Sequence, residues 1–186
     1  MEQNIRRAHL LPLLQDAVAK GPVTLASGRV SDFYIDARLV TLNPIGSKLI
    51  GRLVLDILTE WQHNTLAGPT TAACPIVSAA GVIAAQHARD IKLAYVRKEA
   101  KGHGMGKSIE GPPLTSADKV LMVDDVLTTG TSLLRAVAQV RDTGAHVSRA
   151  FVLVDRQEGG REALLREGIE VSSFTTREQL KIAIDG

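Results

Sequence analysis

The sequence predicts an α/β protein with a mostly parallel, twisted sheet flanked by helices. From Leu66 onward, short apolar runs alternate with helical segments, and this alternation is typical of βαβ units whose strands lie parallel. The run Val120–Val123 is continuously apolar, as expected of a strand buried on both faces. The chain has 186 residues, 45% of them hydrophobic, which suits a single domain with a sizeable core.

The N-terminal part is predicted to contribute two helices and a hairpin. Apolar residues at helical spacing between Leu10 and Val18 predict a first helix that ends before Pro22. Apolar and β-branched patches at 23–25 and 33–40 predict a small irregular hairpin outside the main sheet. A second helix is predicted over 44–61, with Ile45, Leu49, Leu53, Ile57 and Leu58 on its apolar face.

The rest of the chain is predicted to alternate between strands and helices, as the fold class requires. Strands are expected at 65–71, 92–98, 119–125, 146–156 and 169–175, and helices at 76–89, 131–144 and 161–168. No internal repeat or linker indicates a second domain.

Composition excludes several classes of function. Lys and Arg number 22 and Asp and Glu 20, a net charge of +2, and the aromatic residues are three Phe, two Tyr and one Trp. This balance offers neither a broad basic face nor a stacking platform, so we expect no nucleic-acid partner. The single cysteine, Cys74, excludes an intrachain disulfide and favours a cytoplasmic location. The uncharged stretch at 61–88 has too short an apolar part for a membrane span, and we expect neither a signal peptide nor a membrane.

The sharpest local pattern lies where the buried strand runs into a helix. Asp124 and Asp125 follow the apolar run, and a turn of small hydroxyl residues then leads into an amphipathic helix. Such a turn brings backbone N–H groups, hydroxyls and the positive end of a helix to one point, which is a site for phosphate. The turn consists of Thr128, Thr129, Gly130, Thr131 and Ser132.

The two acids indicate what the phosphate belongs to. Adjacent carboxylates need donors, and ribose hydroxyls or the waters on a magnesium ion are donors of the right kind. The acid pair and the turn therefore predict a sugar-phosphate site at the carboxyl end of a strand, where α/β proteins bind ligands. A helix N-cap with solvated acids is the alternative interpretation of the turn alone.

The segment VLMVDDVLTTGTS (120–132) resembles the phosphoribosyl pyrophosphate signature of type I phosphoribosyltransferases. The resemblance implies that Asp124 and Asp125 contact the ribose hydroxyls and that the loop at 128–132 holds the 5′-phosphate. Mg²⁺ would be held through substrate and water, with no direct protein ligand. The resemblance also implies the type I fold, with a small hood (about 1–40 plus the C-terminal segment) on a core of about 44–160.

A second pattern is the basic, glycine-rich stretch YVRKEAKGHGMGKSIEG (95–111). Its glycine density predicts a flexible cationic lid, which would neutralise a pyrophosphate leaving group and exclude water. GMGKS is not a P-loop, because the glycine required upstream is Lys101 and no apolar helix follows Ser108.

The segment RKEAKGHG (97–104) closely resembles the catalytic loop of orotate phosphoribosyltransferases. The resemblance implies that Lys101 and His103 act in the active site of the neighbouring subunit, and hence that the protein is a homodimer with shared sites. It also places Arg97 and Lys98 at the base of the loop as substrate-binding residues.

Two further segments fit the same family. SGRVSDFYIDAR (27–38) resembles its hood, which implies that Tyr34 and Ile35 contact the orotate ring; ordinary hairpin packing is the alternative. DRQEGG (155–160) resembles the segment whose arginine, here Arg156, pairs with the orotate carboxylate. Cys74 stands where the family often carries an acid, and we expect it to be a small apolar filler and not a nucleophile.

Together these resemblances imply an enzyme of pyrimidine (UMP) biosynthesis. It would transfer phosphoribose from phosphoribosyl pyrophosphate to orotate, giving orotidine 5′-phosphate and pyrophosphate. A purine phosphoribosyltransferase is one alternative, but it should lack RKEAKGHG and the arginine of DRQEGG. A non-enzymatic regulator on the same fold, binding RNA or a nucleotide, is another, but it should need a basic face that a net charge of +2 does not promise.

Overall fold

A six-stranded sheet lies between two layers of helices. A computed structural model describes residues 2–19, 21–24, 30–31, 33–98 and 108–185. The helices are α1 (Glu2–Asp16), α2 (Arg38–Thr41), α3 (Pro44–Glu60), α4 (Cys74–Gln86), α5 (Thr131–Arg141), α6 (Gly160–Arg166) and α7 (Arg177–Asp185). The strands are β1 (Val23–Thr24), β2 (Val30–Ser31), β3 (Thr65–Pro69), β4 (Lys92–Val96), β5 (Ile109–Glu110), β6 (Lys119–Leu127), β7 (His146–Asp155) and β8 (Glu170–Thr176).

The main sheet has the strand order β5-β4-β3-β6-β7-β8. All of its strands are parallel except the short edge strand β5, which runs antiparallel to β4. The chain passes from β3 to β4 on one side, and the later strands are added on the other side, so the order reverses between β3 and β6. Open α/β sheets bind their ligands at the carboxyl ends of the strands at such a reversal.

Both faces of β6 are covered by helices. Leu121 and Val123 lie in the apolar cluster that α1, α3 and α4 cover, whereas Val120 and Met122 lie in the cluster that α5 and α6 cover. All four side chains are fully buried, which confirms the predicted strand. Burying each such side chain stabilises the fold by about 1.5–3 kcal/mol.

The predicted hairpin is only partly confirmed. β1 and β2 pair antiparallel, but the second predicted strand, at 33–40, is wrong: Ile35 makes an isolated bridge to Val18, and the chain then turns into α2. The reason is Asp36, whose carboxylate accepts the N–H of Arg38 at 3.2 Å and its Nε–H at 2.8 Å. A side chain that caps the backbone two residues ahead favours a turn over a strand.

Helix α3 has the predicted position, but its predicted apolar face is wrong in part. Ile45 is 65% exposed, and the side chains with at most 1% exposure are Ile50, Val54 and Leu58. At Gly51 a Cβ would lie 2.7 Å from a backbone carbon of α4. The two helices therefore approach each other at this glycine, which turns a different stripe of α3 toward the sheet.

Besides α2, three features were not predicted from the sequence: the extension of β6, the strand β5 and the helix α7. β6 does not end at the acid pair but continues to Leu127, because β7 pairs with it as far as Asp155. The strand β5 and the helix α7 were also missed. Leu180 of α7 lies in the same cluster as Leu10 of α1. No helix within the described ranges has both the length and the apolar character needed to cross a membrane.

Asp118 joins three strands at the edge of the sheet opposite their carboxyl ends. It is 2% exposed, and its carboxylate accepts the N–H of Thr115 at 2.7 Å and the hydroxyl of Thr65 at 3.1 Å. Lys92 Nζ lies 2.9 Å away. Burial alone raises the pKa of Asp118, but the hydrogen bonds from Lys92, Thr115 and Thr65 outweigh it and leave the pKa below its ordinary value.

We expect Asp118→Asn to lower the free energy of unfolding by roughly 2–3 kcal/mol at pH 7, because buried donors lose a charged acceptor. The folded-state pKa lies below the unfolded one, so this stability is present above about pH 4 and is lost as the pH falls through the lowered pKa. Urea unfolding of both proteins at pH 7 and pH 3 measures the difference. An equal loss at both values would show that the charge of Asp118 is not the cause.

Candidate active site

A cleft of about 310 Å³ opens where the strand order reverses. Its lining comes from the ends of β3 and β4, from the segments that follow β4 and β6, and from the start of α5. It consists of Pro69, Val96, Arg97, Lys98, Thr128, Thr129, Thr131, Ser132, Arg135 and Ala136. The structure thus brings together two patterns that are separate in the sequence, the hydroxyl-rich loop at 128–132 and the basic pair.

The loop between β6 and α5 has the form of an anion site. Gly130 is the N-cap of α5 with φ +79°, and because glycine has no side chain to cap them, the first N–H groups of the helix stay free for a ligand. A Cβ at this position would lie 3.2 Å from the carbonyl oxygen of Gly160, so the loop also packs closely. The hydroxyls of Thr129 and Thr131 are 3.0 Å apart. N–H groups and hydroxyls placed together suit the oxygens of a phosphate.

The acid pair lies on β6, directly before this loop. Asp124 is 6% exposed. Burial, and secondly the charge of Asp125, raise the pKa of Asp124 to about 8. Burial also raises the pKa of Asp125. The positive charges of Lys98 and Arg38 oppose these shifts without reversing them. Ionising both acids would therefore leave negative charge that the described residues do not balance, and a cation or several hydrogen-bond donors would relieve it.

Arg97 and Lys98 lie at the rim of the cleft. Arg97 follows β4 and forms an ion pair with Glu110 of β5, with 3.3 Å between Nη1 and Oε1, which joins the two ends of the basic stretch at its base. Lys98 is exposed. Lys101 and His103 lie outside the described residues, so their catalytic roles stay predictions.

Arg156 follows β7 and is buried beside the hood. Its side chain is 10% exposed, and its Nη2 lies 2.8 Å from the carboxylate of Glu158. Nη2 also donates to the carbonyl oxygen of Phe33 at 3.3 Å, and the backbone N–H donates to the carbonyl of Leu127 at 2.9 Å. Nε is buried and has no acceptor among the residues that the structure describes. A positive group with an unused donor therefore lies beside the strand that carries the acids.

The two predicted contacts of the hood with a base differ in exposure. Ile35 is 6% exposed and belongs to the core, which leaves it little surface for a ligand. Tyr34 is half-buried, and its role stays a prediction. Phe33 lies between two guanidinium groups, with the Cζ atoms of Arg156 and Arg177 at 6.0 and 5.6 Å from the ring centroid. Phe33 therefore contacts both the segment that follows β7 and the start of α7.

Sequence reasoning missed three residues of the site: Arg135, Phe33 and Glu158. Arg135 could have been found, because it lies four residues after Thr131 and therefore on the same face of α5. No local signal indicated the contacts of Phe33 and Glu158 with Arg156, since they arise when the hood packs against β7.

Cys74 begins α4, beyond the carboxyl end of β3. Burial raises the pKa of its thiol, and a protonated thiol is a poor nucleophile. This supports the interpretation of Cys74 as a small apolar filler.

Comparison with known proteins decides the family. The sequence profile described as the phosphoribosyl transferase domain matches residues 40–174. The orotate phosphoribosyltransferase of Corynebacterium glutamicum strain R is 44% identical over 169 residues, 90% of each chain. That of Aquifex aeolicus is 38% identical over 181 residues, 97% of this chain and 98% of the relative. The chain belongs to the orotate phosphoribosyltransferase family.

A solved structure supports the same assignment. The orotate phosphoribosyltransferase of Mycobacterium tuberculosis, in complex with 5-phospho-α-D-ribosyl 1-diphosphate, superposes with a TM-score of 0.78 and 35% identity, over 95% of this chain and 99% of that one. The predicted type I phosphoribosyltransferase fold is confirmed. Membership of the orotate phosphoribosyltransferase family also disfavours the purine enzyme and the non-enzymatic regulator.

We expect Asp124→Asn to stabilise the ligand-free protein at alkaline pH. The folded-state pKa of about 8 lies above the ordinary value of 3.8, so the contribution of Asp124 to stability is greatest below pH 4 and is lost as the pH rises to 8. Asn has no charge to bury. The advantage of the variant should therefore grow between pH 4 and 8, to at most about 5 kcal/mol.

Thermal or urea unfolding across that range measures the advantage. Asp118→Asn serves as the control, because its folded-state pKa is shifted in the opposite direction, and it should be less stable than the unsubstituted protein at pH 8. A pH-independent difference for Asp124→Asn would contradict the electrostatic account.

Proposed function

We propose that the protein transfers the phosphoribosyl group of phosphoribosyl pyrophosphate to N1 of orotate, a step of pyrimidine biosynthesis that gives orotidine 5′-phosphate and pyrophosphate. The observation that carries the proposal is the meeting, at the ends of the adjacent strands β6 and β7, of an acid pair with a buried Asp124, a phosphate loop and a buried arginine. These groups complement, in that order, ribose hydroxyls, a 5′-phosphate and the carboxylate of orotate. The single cysteine and a phosphorylated substrate favour the cytoplasm.

The sugar phosphate would bind along the carboxyl end of β6. The 5′-phosphate accepts hydrogen bonds from the free N–H groups of α5 and from the hydroxyls of Thr129, Thr131 and Ser132. The ribose hydroxyls donate to Asp124 and Asp125, and these hydrogen bonds favour the ionised form of acids whose pKa burial raises.

The donor set fits Mg²⁺ that is held mainly by the substrate. In the part of the chain that the structure describes, no group of three or more His, Cys, Asp or Glu side chains could hold a metal ion. Asp124 and Asp125 offer hard oxygen acceptors with unbalanced negative charge, which suits the waters of a bound Mg²⁺. Such an ion would neutralise part of the pyrophosphate charge.

The base would lie between the hood and Arg156. Orotate is planar and carries a carboxylate at C6, and a guanidinium can bind such a group with two parallel N–H bonds. Arg156 offers the buried charge and an unused Nε–H for this contact. Tyr34, half-buried in the hood, would lie against the ring.

In the transfer, the bond between C1′ and the pyrophosphate oxygen breaks, a bond between C1′ and N1 of orotate forms, and N1 loses its proton. The ribose becomes electron-poor as pyrophosphate leaves, and ionised Asp124 and Asp125 would stabilise it. Positive charge for the pyrophosphate would come from Arg97 and Lys98 at the rim of the cleft and from the predicted loop residues Lys101 and His103. The protein supplies charge and positioning, with no covalent intermediate.

The decisive experiment follows orotate consumption by absorbance in the presence of phosphoribosyl pyrophosphate and Mg²⁺. We expect turnover with orotate and none with adenine or hypoxanthine. Turnover of a purine alone would support the purine enzyme. Folded protein without any turnover would refute the proposal and favour a non-enzymatic regulator.

We also propose a homodimer with shared active sites. The hood side of the molecule leaves three large apolar side chains within seven residues exposed, Leu39 at 64%, Leu42 at 68% and Ile45 at 65%. A monomer rarely exposes such a group without a use for it. A two-fold interface over this surface would make any exchange of loop residues between subunits reciprocal.

Arg156→Ala should raise the KM for orotate about 10- to 150-fold and leave the KM for phosphoribosyl pyrophosphate nearly unchanged, because one charge-assisted contact is worth about 1.5–3 kcal/mol. Steady-state kinetics with each substrate varied in turn measure the two constants. A similar rise in both would argue that Arg156 is structural.

Complementation tests the shared site. Lys101→Ala should be nearly inactive because the leaving pyrophosphate loses a cation, and Arg156→Ala should be impaired because the base pocket is broken. When both are unfolded together and refolded, each mixed dimer contains one site with Lys101 from one chain and Arg156 from the other. Random pairing should restore roughly a quarter of the unsubstituted activity, since about half of the dimers are mixed and half of their sites are intact.

The same mixture distinguishes the opposite arrangement. If the loop served its own subunit, no site in a mixed dimer would hold both residues, and activity would stay at the level of the separate variants. Heterodimers demonstrated by differential tagging, yet without recovered activity, would rule out the shared site.

A further inference from the structure

Arg156 is buried, charged and already paired. Its side chain is 10% exposed, whereas that of its partner Glu158 is 29% exposed. A guanidinium left unpaired in such surroundings is costly, so Glu158 stabilises the ligand-free site. The carboxylate of Glu158 can nevertheless rotate toward solvent. The second partner of Arg156, the backbone carbonyl of Phe33, cannot leave in this way.

The geometry of the guanidinium makes Glu158 a competitor for the substrate. A carboxylate forms two parallel bonds with an arginine through either Nε and Nη2 or Nη1 and Nη2. Both edges use Nη2, and Nη2 of Arg156 already lies 2.8 Å from Oε1 of Glu158. Nε is buried and has no acceptor within the described residues. On the edge formed by Nε and Nη2, only Nη2 is therefore occupied. An incoming carboxylate can bind both atoms once Glu158 moves away.

The backbone beside this pair is held in place. The N–H of Gln157 donates to the Asp155 carboxylate at 2.8 Å, and the side-chain oxygen of Gln157 accepts the N–H of Glu178 at 3.1 Å. The Asp155 carboxylate is in turn bound by Arg161 Nε at 3.1 Å. Displacing Glu158 therefore requires rotation of its side chain and no rearrangement of the loop.

We propose that Glu158 is an exchangeable counter-ion, which pairs with Arg156 in the empty site and is displaced by the carboxylate of orotate. This inference rests on the proposed function. Glu158 is then a positioning residue: it keeps Arg156 paired between turnovers, and it lowers the affinity for orotate because the substrate carboxylate has to compete with it. It also gives Arg156 a partner again when the product, which keeps the carboxylate, departs.

Glu158→Gln tests the exchange, because it removes the charge and preserves the shape. We expect the KM for orotate to fall about two- to tenfold, since no carboxylate has to be displaced, with no change in the KM for phosphoribosyl pyrophosphate. Glu158→Asp, whose carboxylate is one methylene further from Arg156, should give a smaller fall. Glu162→Gln is the matched control: Glu162 is exposed on α6, and its replacement should change neither constant.

A second readout separates exchange from a merely structural role. The ligand-free Glu158→Gln variant should unfold at a lower temperature than the unsubstituted protein, and the difference between the two unfolding temperatures should narrow when both are saturated with orotidine 5′-phosphate, which keeps the carboxylate. The inhibition constant of uracil, which lacks the carboxylate, should be unchanged.

Three results would overturn the exchange. A raised or unchanged KM for orotate in Glu158→Gln would mean that Glu158 orients Arg156 for the substrate or does not affect it. An equal gain in uracil affinity would mean that the carboxylate is not involved. Absence of orotate turnover by the unsubstituted protein would overturn the proposed function as well, whereas turnover with an unchanged KM in the variant would overturn the exchange alone.

Discussion

Two adjacent carboxylates near the carboxyl end of the central strand β6, Asp124 buried and Asp125 half-buried, are the constraint on which the rest of this site depends. Asp124 is 6% exposed on the central strand β6, and burial raises the pKa of both acids. Burying like charges costs free energy unless protons, cations or donors neutralise them. In the ligand-free protein the raised pKa of Asp124 favours its protonated form, and a ligand that brought hydroxyls and a cation would favour ionisation.

The positively charged groups of the site face the same free-energy cost of burial. Arg156 is paired with Glu158 and Arg97 with Glu110, so two of the cations near the cleft have a carboxylate of the protein as partner. Phosphoribosyl pyrophosphate and orotate are anions, so they would compete with these carboxylates. A partner that can be displaced stabilises the cation in the empty site, whereas a permanent partner would leave no charge for the substrate to bind.

The sequence predicts those features of the fold that depend on residues close together in the chain. The alternating elements, the buried run Val120–Val123 and the turn at Gly130 depend on neighbours in the chain, and the structure confirms them. The end of β6 depends on how far β7 extends beside it, and the buried face of α3 depends on the close approach at Gly51. Neither is encoded within its own segment. The pairing of Arg156 with Glu158 and Phe33 likewise needs the hood in place, so a motif can indicate the arginine but not its partners.

Two acids associated with the same strand show why residue type alone does not distinguish stability from function. Asp118 precedes β6 and accepts hydrogen bonds from Thr115, Thr65 and Lys92, which hold its pKa low. Asp124, near the other end of β6, accepts the N–H of Asp125 at 3.0 Å, and burial raises its pKa. Both are nearly inaccessible to solvent, so the difference lies in their neighbours. Asp118 has a cation and several donors, whereas Asp124 has the charge of Asp125 beside it and few donors among the described residues. At the amino end the protein provides them, and the carboxylate stabilises the sheet. At the carboxyl end, where parallel strands leave room between their loops, the protein leaves them to be provided by a ligand.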